Sequence, residues 1–257
     1  MNRNLLKYCS AVVFGFSLFI GGCSTQPSIK PDASQSYINF DTVKAGPFDT
    51  GKMWTFDVPP SDYFAQTYHF NPPKEWFEKA RLSAVRIPGC TASFVSEDGL
   101  IMSNHHCARG ALDKVNKEGE KLAELGFYAA TLEEERKSPV TYVDQLILMD
   151  DVTIEVQKAF DSGTTDDDKV AKRSAKFTEI QQRYAAKFKE TSQDSMVFNV
   201  IPFYNGGKYS VYGYKRYTDV RLVFAPEEAA AFFGGDPDNF TYPRYDFDCS
   251  FFRVYEN

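Results

Sequence analysis

The clearest chemistry in this chain sits at the end of one stretch, Gly89-Cys90-Thr91-Ala92-Ser93-Phe94-Val95-Ser96-Glu97-Asp98-Gly99-Leu100-Ile101-Met102-Ser103-Asn104-His105-His106-Cys107. A neutral imidazole accepts a proton near physiological pH, and a hydroxyl attacks efficiently only when such a base lies within hydrogen-bond reach. The base in turn needs a carboxylate to fix its tautomer and stabilise its cation. The chain has three histidines. His69, in an aromatic run beside Tyr68 and Phe70, has no chemical partner in sequence and is assigned a structural role. His105 and His106 point to opposite sides if their segment is extended, so only one enters a cleft. His106, beside Cys107, is the candidate base. The carboxylate has to come from a distant strand: Asp248, at the start of the run Cys249-Ser250-Phe251-Phe252-Arg253, is the candidate, and Asp246 is its near rival. A metal site built from His105, His106 and Cys107 is an alternative. It is disfavoured because zinc ligands adjacent in sequence rarely converge and no paired-cysteine motif accompanies them.

These residues need elements to hold them. Residues 89–95 alternate small and apolar side chains like a strand, Ser96-Glu97-Asp98-Gly99 reads as a turn with glycine where positive φ is required, and Leu100-Ile101-Met102 returns as a second strand. A histidine at the end of a barrel strand, beside a cysteine tied back to the preceding strand, is how chymotrypsin-like proteases present their base. A Cys90–Cys107 disulfide would clamp the two hairpin strands, a closure worth ~3 kcal/mol. Cys249 is then left over, buried as a small apolar residue or paired elsewhere. Before the hairpin, Thr50–Pro60 reads as a strand or extended arm and Lys74–Arg81 as a short helix opened by Pro72-Pro73. After it, Ala111–Leu125 has helical spacing, Val140–Asp150 is a strand, and Asp166–Glu190 is a long helix with Phe177, Ile180, Tyr184 and Phe188 along one face. Strands follow at Met196–Tyr204, Tyr209–Tyr214 and Asp219–Phe224, the first pair closed by Asn205-Gly206-Gly207. Pro226–Phe233 is a short helix, Gly234–Asn239 a loop, and Cys249–Tyr255 the last strand. The sum is mainly β, a barrel carrying inserted helices.

Composition sets the wider frame. With 257 residues, 43% apolar and 16% aromatic, the chain can bury a sizeable core and is not a disordered sequence. Residues 1–22 read as a signal peptide: Arg3 and Lys7 precede the apolar run Ala11–Ile20, and Ile20-Gly21-Gly22-Cys23 resembles a bacterial lipobox. Cleavage there would leave Cys23 lipidated; an ordinary signal cut nearby is the alternative. Residues 23–49 form a tether, Ser/Pro/Gln-rich over Thr25–Ser36, and residues 50–257 carry the folded domain. The mature chain is therefore expected to be exported, lipid-anchored at the bacterial outer membrane or facing the periplasm. Its formal net charge of −6 becomes more negative once Arg3 and Lys7 are removed. With no basic stripe, nucleic acid is excluded as a partner.

Four stretches resemble the S46 family of bacterial serine peptidases, of the dipeptidyl-peptidase 7/11 type: the 89–111 run GCTASFVSEDGLIMSNHHCARGA, Asp150-Asp151-Val152-Thr153, YNGGKYSVYGYKRYTDVRLVFAP, and FFGGDPDNFTYPRYDFDCSFFR. The similarity spans about Lys52 to Tyr255. It implies a chymotrypsin-like fold with an added helical domain, release of dipeptides from free peptide amino termini, no metal or organic cofactor, and a homodimer for the full-length form. Carried over, the triad histidine matches His106 and the triad aspartate matches Asp248. Asn239 and Arg244 match positions that grip the substrate's α-amino group, and Phe240 stands where the family has an aromatic, the three together being the substrate-binding candidates; Arg244 could equally pair with Asp236, Asp238 or Asp246. Tyr245-Asp246-Phe247 departs from a His-Thr-Gly run, placing a second negative charge near the base, where it would tend to raise a histidine's pKa. Tyr242 stands where the family favours tryptophan. No Gly-Asn-Ser-Gly-type nucleophile loop occurs, and Ser93, Ser103, Ser210 and Ser250 lie in or beside strands. The chain is thus expected to be the N-terminal part of a serine exopeptidase, without the second barrel, helical domain and nucleophile, and inactive alone. A non-catalytic surface lipoprotein that binds peptides with a protease-like barrel is the alternative.

Overall fold

The computed structural model describes residues 54–191, 195–233 and 246–256. The expectations for residues 1–49, the lipidation candidate Cys23, the loop at 234–239, and Asn239, Phe240, Tyr242, Arg244 and Tyr245 lie outside them. Residues 54–60 make turns and extended chain and join no strand among the described residues; Asp57 ion-pairs with the buried Lys208. Helices α1 (Ser61–Tyr68) and α2 (Lys74–Ser83) follow, joined through a cluster of Phe64, Phe70, Trp76 and Phe77. Then come β1 (Ala84–Ile87), β2 (Cys90–Phe94) and β3 (Leu100–Ser103). The turn between β2 and β3 forms as the sequence predicts: Gly99 has φ +72°, and a Cβ there would lie 2.6 Å from the Val254 carbonyl oxygen.

The next helix departs from expectation. Helix α3 (His105–Val115) begins six residues before the predicted Ala111, and a separate short α4 (Leu122–Leu125) follows. Gly119 in the left-handed region interrupts the predicted continuous helix, and the Asn116 side chain accepts from the Leu122 amide to restart it. His105 joins Ala108, Ala111 and Leu112 on the buried face, a spacing the apolar pattern alone underplays because its first member is polar. Two short strands that the sequence did not signal, β4 (Phe127–Tyr128) and β5 (Arg136–Lys137), precede β6 (Val143–Asp151). Helix α5 (Thr153–Asp161), also unforeseen, starts where the Asp151 carboxylate accepts from the Thr153 amide, and α6 (Asp166–Thr191) is the predicted long helix. The chain finishes with β7 (Met196–Phe203), β8 (Lys208–Tyr217), β9 (Asp219–Ala225), α7 (Glu228–Ala231) and β10 (Ser250–Tyr255).

The strands form one antiparallel sheet in the order β4-β9-β10-β3-β2-β1-β6-β8-β7, with β5 also on β9. Hydrogen bonding leaves this path open, but the chain closes it. Only Thr218 separates β8, which pairs with β6 up to Tyr217↔Val143, from β9, which pairs with β10 from Asp219↔Tyr255. The bent β8–β9 segment therefore serves both ends of the path, and β10, β3, β2, β1 and β6 complete the ring. A flat sheet would hold β8 and β10 five strand spacings apart, roughly 24 Å. Instead Lys215 on β8 reaches Glu256, just beyond β10, at 2.5 Å. Val85, Ile87, Ile101, Val143, Val220, Leu222, Phe252 and Val254 fill the interior with α3 and α4 side chains. The fold is mainly β with inserted helices, as the sequence implied, and consistent with a partial chymotrypsin-like barrel. A second core holds α5 and α6 against β7 and β8 through Val156, Ile180, Phe198 and Val211.

Candidate active site

Strand β3 delivers the histidines. It lies between β10 and β2, and its antiparallel register with β10 pairs Ser103 with Ser250. The residue two before Ser250 therefore sits across from the residue two after Ser103, which sets Asp248 against the start of α3. His106 Nδ1 and Asp248 Oδ2 are 2.7 Å apart, and the His106 backbone N–H donates to Asp248 Oδ1 at 3.0 Å. The Asn104 amide nitrogen donates to Asp248 Oδ2 at 3.1 Å and to the Asp248 carbonyl at 3.2 Å. Ser250 Oγ donates in turn to the Asn104 carbonyl at 2.8 Å. One carboxylate thus orients an imidazole and satisfies an otherwise orphaned donor in the first turn of α3, where the helix dipole also favours a negative charge.

Burial works against ionisation of Asp248. The His106 backbone N–H, the His106 imidazole and the Asn104 amide outweigh it and hold the carboxyl below its usual range. The Asp248 side chain is 9% exposed and the His106 side chain 44%, so the acid is sheltered while the imidazole faces outward. An ionised Asp248 accepts a proton-bearing Nδ1, which leaves the His106 Nε2 lone pair available to a hydroxyl. Asp246, the rival, makes no hydrogen bond with His106.

The two histidines do diverge, but through a helical step of about 100° and not through extended alternation. His105 is 1% exposed, and its Nε2 has no hydrogen-bond partner among the described residues. Desolvation pushes its pKa down, against the pull of Asp248 and Glu228, which favours the neutral imidazole. Cys107 is disulfide-bonded to Cys90, with Cα atoms 6.2 Å apart. Cys107 belongs to α3, so the bond anchors the helix that carries His106 to the start of β2, and does not clamp two hairpin strands as expected. A sulfur in a disulfide is no thiolate ligand, and His105 points away from His106, which removes the geometry of the alternative metal site. Cys249 is a free, partly buried thiol, its pKa raised by burial and by the Asp248 charge.

The candidate hydroxyls are committed elsewhere. Ser103 Oγ donates to the Thr91 carbonyl, Ser250 serves Asn104, and Ser210 is 2% exposed inside β8. Among the described residues no hydroxyl is hydrogen-bonded to His106. Asn104 is the member of this site that sequence reasoning missed. Its signal was its place directly before the two histidines, where a helix N-cap residue stands. Its side chain caps nothing and instead holds the acid.

The Peptidase S46 family model matches residues 48–257. Over 167 residues the chain is 37% identical to dipeptidyl-peptidase 7 of Porphyromonas gingivalis, and over 168 residues 34% identical to dipeptidyl-peptidase 7 of Capnocytophaga gingivalis. Each match covers 65% of this chain, but only 23% and 22% of the respective relative, so the chain spans less than a quarter of the length of these curated relatives. The crystal structure of Porphyromonas endodontalis DPP11 in complex with the dipeptide Arg-Glu aligns with a TM-score of 0.58 at 26% identity, covering 74% of this chain and 28% of that one.

Proposed function

The chain belongs to the S46 peptidase family, and on that premise we propose that His106 and Asp248 are the base and orienting carboxylate of a serine exopeptidase releasing dipeptides from free peptide amino termini. The observation that carries this reading is the 2.7 Å contact between an outward-facing imidazole and a sheltered carboxylate held by two further donors. In the reaction, His106 Nε2 takes the proton of an attacking hydroxyl and then returns it to the departing amine, while Asp248 stabilises the transient imidazolium. The sequence holds no Gly-Asn-Ser-Gly-type loop, so the hydroxyl comes from polypeptide other than these 257 residues, which release no dipeptide alone. Asn239, Phe240 and Arg244 bind the substrate, the Asn239 amide oxygen accepting from its ammonium group. The protein is exported by residues 1–22 and anchored through a lipid on Cys23, with residues 23–49 as a tether, and its full-length form is a homodimer.

The test uses the protein in its own cells. His106→Ala is introduced at the gene, and washed cells are given short peptides with free or acetylated amino termini. Dipeptides should appear only from the free peptides and only with His106 intact. Release that survives His106→Ala overturns the assignment. Absence of any histidine-dependent release favours a peptide-binding lipoprotein.

A further inference from the structure

Beside the exposed face of His106 lies a depression of about 600 Å3, walled by Arg86 on β1, by Gly89, Cys90 and Thr91 at the β1–β2 turn, and by Tyr142. No carboxylate lines it among the described residues, although the chain has 35 Asp and Glu against 29 Lys and Arg. Behind it Asp144, fully buried, receives two guanidinium groups. Arg86 reaches Oδ2 through Nε at 3.0 Å and through Nη2 at 2.9 Å. Arg216 reaches Oδ1 through Nε at 2.7 Å and Oδ2 through Nη2 at 2.8 Å. Both cations also stack on rings, Arg86 on Tyr214 at 3.8 Å and Arg216 on Tyr142 at 4.0 Å. One carboxylate against two guanidinium groups leaves a surplus positive charge, held rigidly, and the 35%-exposed Arg86 presents it to the depression.

From this we infer that the depression is a subsite for a carboxylate on the leaving side of the peptide. The assignment of side rests on the proposed dipeptidyl-peptidase reading and on the strand order. β3 leads through Asn104 into α3, which carries His106, with β10 and Asp248 on one flank and β2 and β1 on the other. The segment leading to Asp248 is where the reading puts the dipeptide's amino terminus. The depression lies on the opposite flank, past the imidazole that protonates the leaving amine. The carboxylate belongs either to an acidic side chain just beyond the scissile bond or to the carboxyl terminus of a short peptide. Arg86 Nε and Nη2 are spent on Asp144, so Nη1 donates to the carboxylate, with the guanidinium charge behind it.

The purified chain is titrated calorimetrically with Ala-Ala-Gln-Ala-amide, Ala-Ala-Glu-Ala-amide and the tripeptide Ala-Ala-Gln as free acid and as amide. Either carboxylate should tighten binding roughly tenfold over its neutral counterpart, an advantage that shrinks with salt. The Glu/Gln pair reports the side chain, the acid/amide pair the terminus. Arg86→Met leaves Asp144 paired with Arg216, so the fold is retained, and the advantage should fall below twofold while neutral peptides bind as before. Equal binding of charged and neutral peptides, or an advantage that persists in Arg86→Met, overturns the subsite and leaves the peptidase reading standing. Failure of every peptide to bind counts against both.

Discussion

Removing the Cys90–Cys107 disulfide tests whether the site is held by the covalent frame described above. The two cysteines are 17 residues apart in sequence. For a loop of that length the chain-entropy relation gives a loss of roughly 10 cal/mol/K, or about 3 kcal/mol at 25 °C. In a domain of this size that corresponds to a fall of roughly 6–12 °C in Tm. Both sulfurs pack against the main core, so the double variant Cys90→Ala/Cys107→Ala keeps a small apolar group at each place. Differential scanning calorimetry of this variant and of the wild type, with the intact bond verified by mass spectrometry, gives the number directly. The cost should not be confined to stability. Cys107 is the neighbour of His106 in the first turn of α3, so the His106 amide should exchange with solvent faster in the variant, beyond what the global loss of stability accounts for. A Tm within about 2 °C of wild type would refute the reasoning, because it would mean that the unfolded chain already holds residues 90–107 together without the bond.

Two further outcomes follow from the same geometry. The Asp248 carboxyl is held below its ordinary value of 3.8, so the stability it contributes is fully present above that value and is lost as pH falls through the lower folded value. Urea unfolding across a pH series should show the gap between wild type and Asp248→Asn widest near neutrality and closing under acid; a gap that stays constant to the acid end contradicts it. Gly99→Ala forces a left-handed backbone on alanine and puts its Cβ 2.6 Å from the Val254 carbonyl oxygen, so it should cost at least about 2 kcal/mol by urea unfolding, and a change under about 0.5 kcal/mol would contradict the turn geometry.

What the sequence made legible was local. Period-two burial in β3, β9 and β10 and helical spacing in α6 both follow from side chains that alternate or rotate about a short segment. Gly99 announced its turn because few other residues adopt that backbone. The start of α3 was less readable, since a histidine on its buried face broke the apolar pattern that marks a helix. β4 and β5, two residues each, exist only because β9 offers them an edge, and nothing in so short a segment specifies that.

The sequence by itself determined which residue types were present to do chemistry, and it singled out His106 and Asp248 by their neighbours and by family resemblance. Only the tertiary structure decided that the two meet, because a contact between residues 142 apart is set by the register of β10 on β3. It also decided that His105 is buried, that Asn104 holds the acid, and that Arg86 and Arg216 share Asp144 beside the imidazole. Each depends on where strands distant in sequence pair, and pairing follows from the burial of a common core, which no local window of residues contains.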